Sequence, residues 1–280
     1  MKILVVGATG VLGRNVIPRL VERGYHVRAI VRNQRQENFL RDMGVEPAQG
    51  DIFDKDSLHR AAAGCDLAIH IATAISTSSA QDWSVNDRVR REGTHNLLEA
   101  AKENGITRYI QQSITLLYGE NGQRIVDESA PTQSTLITQS AADMEKLVCA
   151  SSLDWCILRG GLFYGPGTGR ETAWRESAWE GKLMLPGDGS DLVSLIHVID
   201  MARAVVTAVE RAAPKSLYNI VDDQPVSFER LFSYVADPLN VPMPQRGGPR
   251  VYPSLGCSNA RAKKELGWQP AYPSYLSGLM

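Results

Sequence analysis

Paired cysteines, a dominant sign of charge, long apolar runs and internal repeats are all missing from this chain, and each absence excludes something. The four cysteines, Cys65, Cys149, Cys156 and Cys257, form no C-x-x-C pair. That removes thioredoxin-like and zinc-ribbon chemistry and leaves small buried hydrophobes in a reducing compartment. No metal site is expected. Lys and Arg total 30 against 31 Asp and Glu, so charge offers no attraction to nucleic acid or to a membrane surface. No stretch approaches the ~20 apolar residues of a membrane span. Gly7 and Gly10 interrupt the N-terminal apolar run, which excludes a secretion signal there. The expectation is a soluble, cytoplasmic protein.

What is present is an alternation. Ile3 to Val6, His26 to Val31, Leu67 to Ile71, and Tyr109 with Ile110 read as short buried strands. Between them lie helical patterns: Val11 to Arg23, with apolar residues at Val11, Leu12, Val16, Leu20 and Val21, and Val89 to Asn104, with Leu97, Leu98 and Ala101 on one face. Trp155 to Leu158 and Leu217 to Val221 look like later strands of the same sheet. Strand-helix alternation gives an α/β Rossmann fold, a doubly wound parallel sheet with helices on both faces. Residues 1–165 are assigned to this dinucleotide-binding domain, with strands near 193–222 interleaved, and residues 166–280 mainly to a small C-terminal substrate lobe. Loop-forming stretches at Gly165 to Gly169, Pro186 to Gly189 and Pro244 to Pro249 frame that lobe.

The first strand runs into Gly7-Ala8-Thr9-Gly10-Val11-Leu12-Gly13 and then a helix. Glycine at the turn permits dihedrals that other residues avoid, and a bare Gly10 lets the backbone approach a pyrophosphate. Gly13 lets helix and strand pack closely, and the helix N-terminus offers free N–H groups to the phosphates. Glycines alone are weak, but here they occupy the first strand-helix turn, which is the required context. The cofactor expected is a nicotinamide dinucleotide. At the end of the second strand, NAD binders carry an acid for the ribose 2′-hydroxyl. This chain has Arg32 there, with Arg35 nearby and no Asp or Glu between His26 and Gln36. A guanidinium suits a 2′-phosphate, so NADP is expected ahead of NAD.

Further motifs follow in order: Gly50-Asp51-Ile52-Phe53-Asp54, Ile69-His70-Ile71-Ala72-Thr73, Gly93-Thr94-His95-Asn96-Leu97-Leu98-Glu99-Ala100, Leu158 to Gly167, Ile196 to Ala202, and Glu265-Leu266-Gly267-Trp268-Gln269-Pro270. Together they resemble the short-chain dehydrogenase/reductase superfamily, in its extended and atypical members of the epimerase/dehydratase type. The resemblance implies that Gly7, Thr9, Gly10, Val11, Leu12 and Gly13 hold the diphosphate. It implies that Asp51 and Ile52 meet the adenine, that Ile71, Ala72 and Thr73 line the ribose and nicotinamide side, and that Gly160, Gly161 and Leu162 pass near the nicotinamide. A turn-capping role for Asp51 competes with the adenine role. His70 and His197 lie in apolar runs and are expected to be packing histidines.

The family's catalytic groups are a Tyr, a Lys four residues later, and a Ser or Thr from a strand end. Ser140 and Glu145 fit the pattern Tyr-x-x-Ser-Lys-x-x-x-Glu, which puts Ile137 at the tyrosine and Ala141 at the lysine. Ile donates no proton and Ala carries no charge. Lys146, five residues past Ala141, points about 140° away around a helix. The strand-end hydroxyl position falls on Ile114, flanked by Ser113 and Thr115, the two hydroxyls still at hand for catalysis. Arg90 stands where the family has a helix asparagine. Loss of the dyad removes acid–base help typically worth 10²–10⁴-fold. Tyr118 and Tyr164 are replacement acids to test, with packing the stronger expectation for each.

Around Trp174, Trp179, Leu183, Met184 and Leu185 the chain packs a lobe or lines an apolar pocket, and Arg170 and Arg250 are free to meet an anion or water. Two classes of function remain. One is an NADP-dependent oxidoreductase acting on a small apolar carbonyl or alkene. The other is a nicotinamide-binding redox sensor or regulatory protein without turnover. An epimerase or dehydratase with bound cofactor keeps a lesser share. The partner expected is a small molecule, and either a monomer or a dimer is compatible with the sequence.

Overall fold

The structure, a computed structural model, describes residues 1–75 and 83–278. Seven strands form its main sheet: β1 (Lys2–Val6), β2 (His26–Val31), β3 (Glu46–Gln49), β4 (Leu67–His70), β5 (Arg108–Ile114), β6 (Asp154–Gly160) and β7 (Ser216–Ile220). Their order is β7-β6-β5-β4-β1-β2-β3, and the sheet is parallel. Order reverses beside β1, the switch point at which doubly wound sheets bind ligands. Ile3, Leu4, Val5 and Val6 are all buried. Successive strand side chains face opposite ways, so helices must cover both faces here.

The chain divides into two compact units. The first comprises 1–113, 136–158 and 202–217. On one side of its sheet, α3 (Lys55–Ala62), α5 (Thr94–Glu103) and α6 (Gln139–Ala150) bring Leu58, Ala61, Leu97, Ala101 and Val148 onto Leu4, Val6, Ala68 and Ile157. Each leucine, valine or isoleucine among them contributes roughly 1.5–3 kcal/mol by leaving water. Helix α1 (Gly13–Glu22) buries Val16, Ile17 and Leu20 at the four-residue spacing read from the sequence. Its first turn carries no acid and no side-chain cap, and the Arg14, Asn15 and Val16 N–H groups donate to the Gly10 and Leu12 carbonyls. Helix α2 (Gln34–Asp42) starts properly, with the Asn33 side chain accepting from the Gln36 N–H. The helix expected from Val89 is not uniform. α4 (Trp83–Arg88) passes into a π-helical turn at Val89–Gly93 before α5 begins.

The second unit comprises 114–135, 159–201 and 218–280, of which residues up to 278 are described. Tyr164, Leu185, Leu195, Phe228, Leu231, Phe232, Val235 and Tyr275 form its apolar centre, joined by Trp174 and Leu183. Trp179 and Met184 stand exposed instead. A polar clasp closes the unit. The Asp200 carboxylate, at the start of α7 (Val198–Arg211), accepts from the Ala271 and Tyr272 N–H groups at 2.8 Å each. The Trp268 indole donates to the Asp200 carbonyl, and His197 lies 3.8 Å from Tyr272, ring centre to ring centre. The motifs at 196–202 and 265–270 are thereby the two halves of one lock.

Candidate active site

The glycine turn divides its labour by residue. Gly7 has φ +100°, and a Cβ there would lie 2.5 Å from the Ala72 nitrogen. A Cβ on Gly13 would lie 2.2 Å from the Gly7 carbonyl. These two glycines are required by packing. Gly10 differs: a Cβ there would meet only the Gly7 carbonyl, at 3.4 Å. Its open side is the cradle that a diphosphate needs, above the uncapped start of α1. The residues present therefore fit a dinucleotide.

Arg32 follows β2 with an exposed side chain that enters no ion pair among the described residues, its backbone N–H donating to Gln36. Arg35 is exposed as well. Arg14, which sequence reasoning missed, holds the Thr9 carbonyl through Nε at 3.0 Å and lies over the Phe39 ring. Its position directly after Gly13 was the available clue. One Asp51 oxygen caps the Phe53 N–H at 2.9 Å, so the turn-capping role is real, and it leaves the second oxygen over among the described residues. Ile52 is packed under Gly93, where a Cβ would come within 2.7 Å of it, and its carbonyl accepts from Asn96. Ile71 continues β4 by donating to the Val6 carbonyl. The Ala72 N–H donates to His70 Nδ1 at 3.3 Å, and Thr73 is exposed. His70 is wholly buried, and burial drives its pKa down to about 4, a smaller contribution from the Val89 backbone opposing. It is a neutral packing histidine, as expected.

In the second unit, Gly160 is packed on Phe163, and Gly161 and Leu162 run against Ser194, whose carbonyl accepts from the Leu162 N–H.

The dyad positions contrast sharply with each other. Ile137 is 59% exposed and precedes α6, whereas Ala141 is 0% exposed inside it. The hydroxyls considered as replacements for the tyrosine all have internal acceptors. Ser113 donates to Glu145 at 2.6 Å, and Thr115 to the Gly160 carbonyl at 3.3 Å. Tyr118 donates to Asn219 at 2.9 Å, and Tyr164 to the Ser274 carbonyl at 3.2 Å. Burial pushes the Tyr118 hydroxyl up to about 12 against the opposing pull of Arg159, and raises that of Tyr164 further. Of the two arginines considered for an anion, Arg250 is paired with Asp191 and Glu120, and Arg170 holds the Phe163 carbonyl.

One cation went unrecognised. Arg90 is 7% exposed, and its Nη1 donates to Ser140 Oγ at 3.2 Å, one residue from Ala141. Its place on the buried stripe with Gly93 and Leu97 was legible in the sequence; that no carboxylate pairs with it among the described residues was not.

The model of the NAD dependent epimerase/dehydratase family matches residues 3–221. The chain belongs to this family. A 3-diazoavenalumate denitrifying reductase from a Streptomyces species is 32% identical, over 100% of this chain and 99% of that one. A 2-alkyl-3-oxoalkanoate reductase of Stenotrophomonas maltophilia is 29% identical over 86% of this chain and 77% of its own. Among solved structures, the dTDP-glucose 4,6-dehydratase of Streptomyces venezuelae, solved with NAD, superimposes with a TM-score of 0.86 at 23% identity, covering 100% of this chain and 94% of that one. That likeness establishes the short-chain dehydrogenase/reductase fold. The reductase names among the relatives accord with nicotinamide-dependent oxidoreductase chemistry in general. No helix among the described residues is long and apolar enough to cross a membrane.

Proposed function

We propose that this chain is an NADPH-dependent reductase whose acceptor needs no proton from a tyrosine. The supporting observation is the state of the acids. The dyad positions hold Ile137 and Ala141, and the Ser113, Thr115, Tyr118 and Tyr164 hydroxyls all donate to the protein. A bound reduced nicotinamide supplies hydride. The chain's own residues would bind and orient: the amides around Gly10 take the diphosphate, Arg32, Arg35 and Arg14 the 2′-phosphate, and Gly160 to Leu162 the nicotinamide side.

An electron-poor acceptor that expels a neutral leaving group suits such a site best. An arenediazonium is one: the ring carbon gains hydride, the C–N electron pair leaves with dinitrogen, and no proton enters the balance. The name of the relative at 32% identity, a denitrifying reductase of a diazo compound, supports that class. Small apolar ketones and enones fit only where water or the substrate itself delivers the proton.

The test is NADPH consumption across arenediazonium, enone and ketone panels, with isotope effects. The expected result is turnover fastest on diazonium acceptors, a primary effect from deuterated NADPH and a solvent effect near unity. Fast ketone reduction with a large solvent effect would refute the reading. Dinucleotide binding without turnover on any panel would instead establish a redox sensor.

A further inference from the structure

Three arginines sit within one stretch of helix and meet different fates. Arg88 pairs with Glu92 at 2.8 Å and lies over the Phe53 ring. Arg91 pairs with Asp143 at 2.8 Å. Arg90, between them, is the most buried and the least matched. A guanidinium has five N–H donors, and among the described residues this one makes a single hydrogen bond, to Ser140. No carboxylate lies within 4.0 Å of it among the described residues. Asp87, one turn earlier, reaches Arg91 at 4.0 Å and supports the Arg90 charge only from a distance. Burial correspondingly lowers the pKa of Arg90 below the usual guanidinium range.

Such an arrangement is unfavourable in the free protein. A desolvated, uncompensated cation is strongly destabilising to a fold, and stable proteins pair it or use it. The backbone carrying it is a π-helical turn, a distortion that recurs at functional sites. The turn packs against α6, where the lysine of the family pattern is replaced by Ala141. We propose that Arg90 is an anion receptor that pairs with the carboxylate of a small organic-acid substrate. Arginine matches a carboxylate with two parallel hydrogen bonds, which an asparagine or lysine at that place would not reproduce. The substrate class is then an arene or alkene carrying both an electrophilic centre and a carboxylate.

This inference rests on the reductase reading above, but its test reads binding, so the two fail separately. The full chain is saturated with NADP and titrated calorimetrically with benzoate and cinnamate, and with benzamide and cinnamamide as uncharged matches. The wild type is expected to hold at least one carboxylate about tenfold tighter than its amide. Arg90→Gln is expected to lose that preference while keeping its NADP affinity, and Arg90→Lys to recover only part of it. Melting temperature gives an independent arm. Arg90→Met is expected to melt at or above the wild type, because an unmatched buried charge has been removed, and added carboxylate raises the melting point of the wild type alone. Equal binding of acids and amides by the wild type would overturn the proposal. So would a preference that survives Arg90→Gln, or a loss of NADP affinity in that variant, which would give Arg90 to the cofactor.

Discussion

The turn at Gly7–Gly13 and the start of α6 both belong to the first unit, yet they have changed by different amounts relative to the family pattern. At the turn, Gly7 and Gly13 answer to steric demands from their own backbone surroundings, so little substitution is tolerated there whatever the substrate, while Gly10 keeps an open side. At α6, Ser140 and Glu145 persist while the two groups that carry proton chemistry are gone. Glu145 now takes the Ser113 hydrogen, and Ser140 takes one from Arg90. The contrast teaches that cofactor binding and acid catalysis are separable in this scaffold. The first is built into the backbone, and the second is carried by side chains that can be exchanged.

The most severe way to probe the contrast is to restore the missing lysine. Ala141→Lys forces an amine into a filled site near a buried guanidinium, and a loss of about 4 kcal/mol in chemical denaturation is expected. Ile137→Tyr, on the surface, should change stability by no more than about 0.5 kcal/mol. Neither should create fast ketone reduction; a double variant that folds and reduces ketones well would erase the distinction between the two regions.

Next in size comes the pair Gly13→Ala and Gly10→Ala. The first drives a methyl into two backbone carbonyls and should cost on the order of 3 kcal/mol. The second should leave the melting temperature unchanged and weaken dinucleotide binding in calorimetry. If Gly10→Ala binds NADP normally, the cradle has been placed wrongly.

A pH effect follows from His70, which touches Ala72 beneath the turn. Its pKa is depressed in the fold, so the unfolded chain binds a proton first as pH falls from 6.5 toward about 4. Stability is complete above the ordinary histidine range and declines through that window, by about 2 kcal/mol between pH 7 and pH 5. Asn retains an acceptor for the Ala72 N–H, so His70→Asn should flatten this part of the denaturation profile.

The smallest effect expected is selectivity. Arg32→Glu should shift the NADP-to-NAD affinity ratio by about tenfold toward NAD, or ~1.4 kcal/mol. An unchanged ratio would remove Arg32 from cofactor choice.

Local rules explain why some of this was legible early. The glycine turn, the strands on either side of it and the apolar face of α1 follow from spacing within a few residues. The loss of Tyr and Lys could be read from register alone. What stayed hidden was relational. The partners of Ser113, Tyr118 and Tyr164 come from residues 32, 101 and 110 positions away along the chain. No window of sequence shows that Arg250 has partners while Arg90 pairs with no acid among the described residues. The π-helical turn was invisible too, since residues 89–104 carry an ordinary helical pattern.

The clasp on Asp200 has a consequence for biosynthesis. The Ala271 and Tyr272 N–H groups that it holds lie about seventy residues further along the chain, so this lock is made only after that stretch has left the ribosome. The clasp is therefore a late-forming contact of high sequence separation, one that costs loop-closure entropy and is made after the local helices and strands of the second unit.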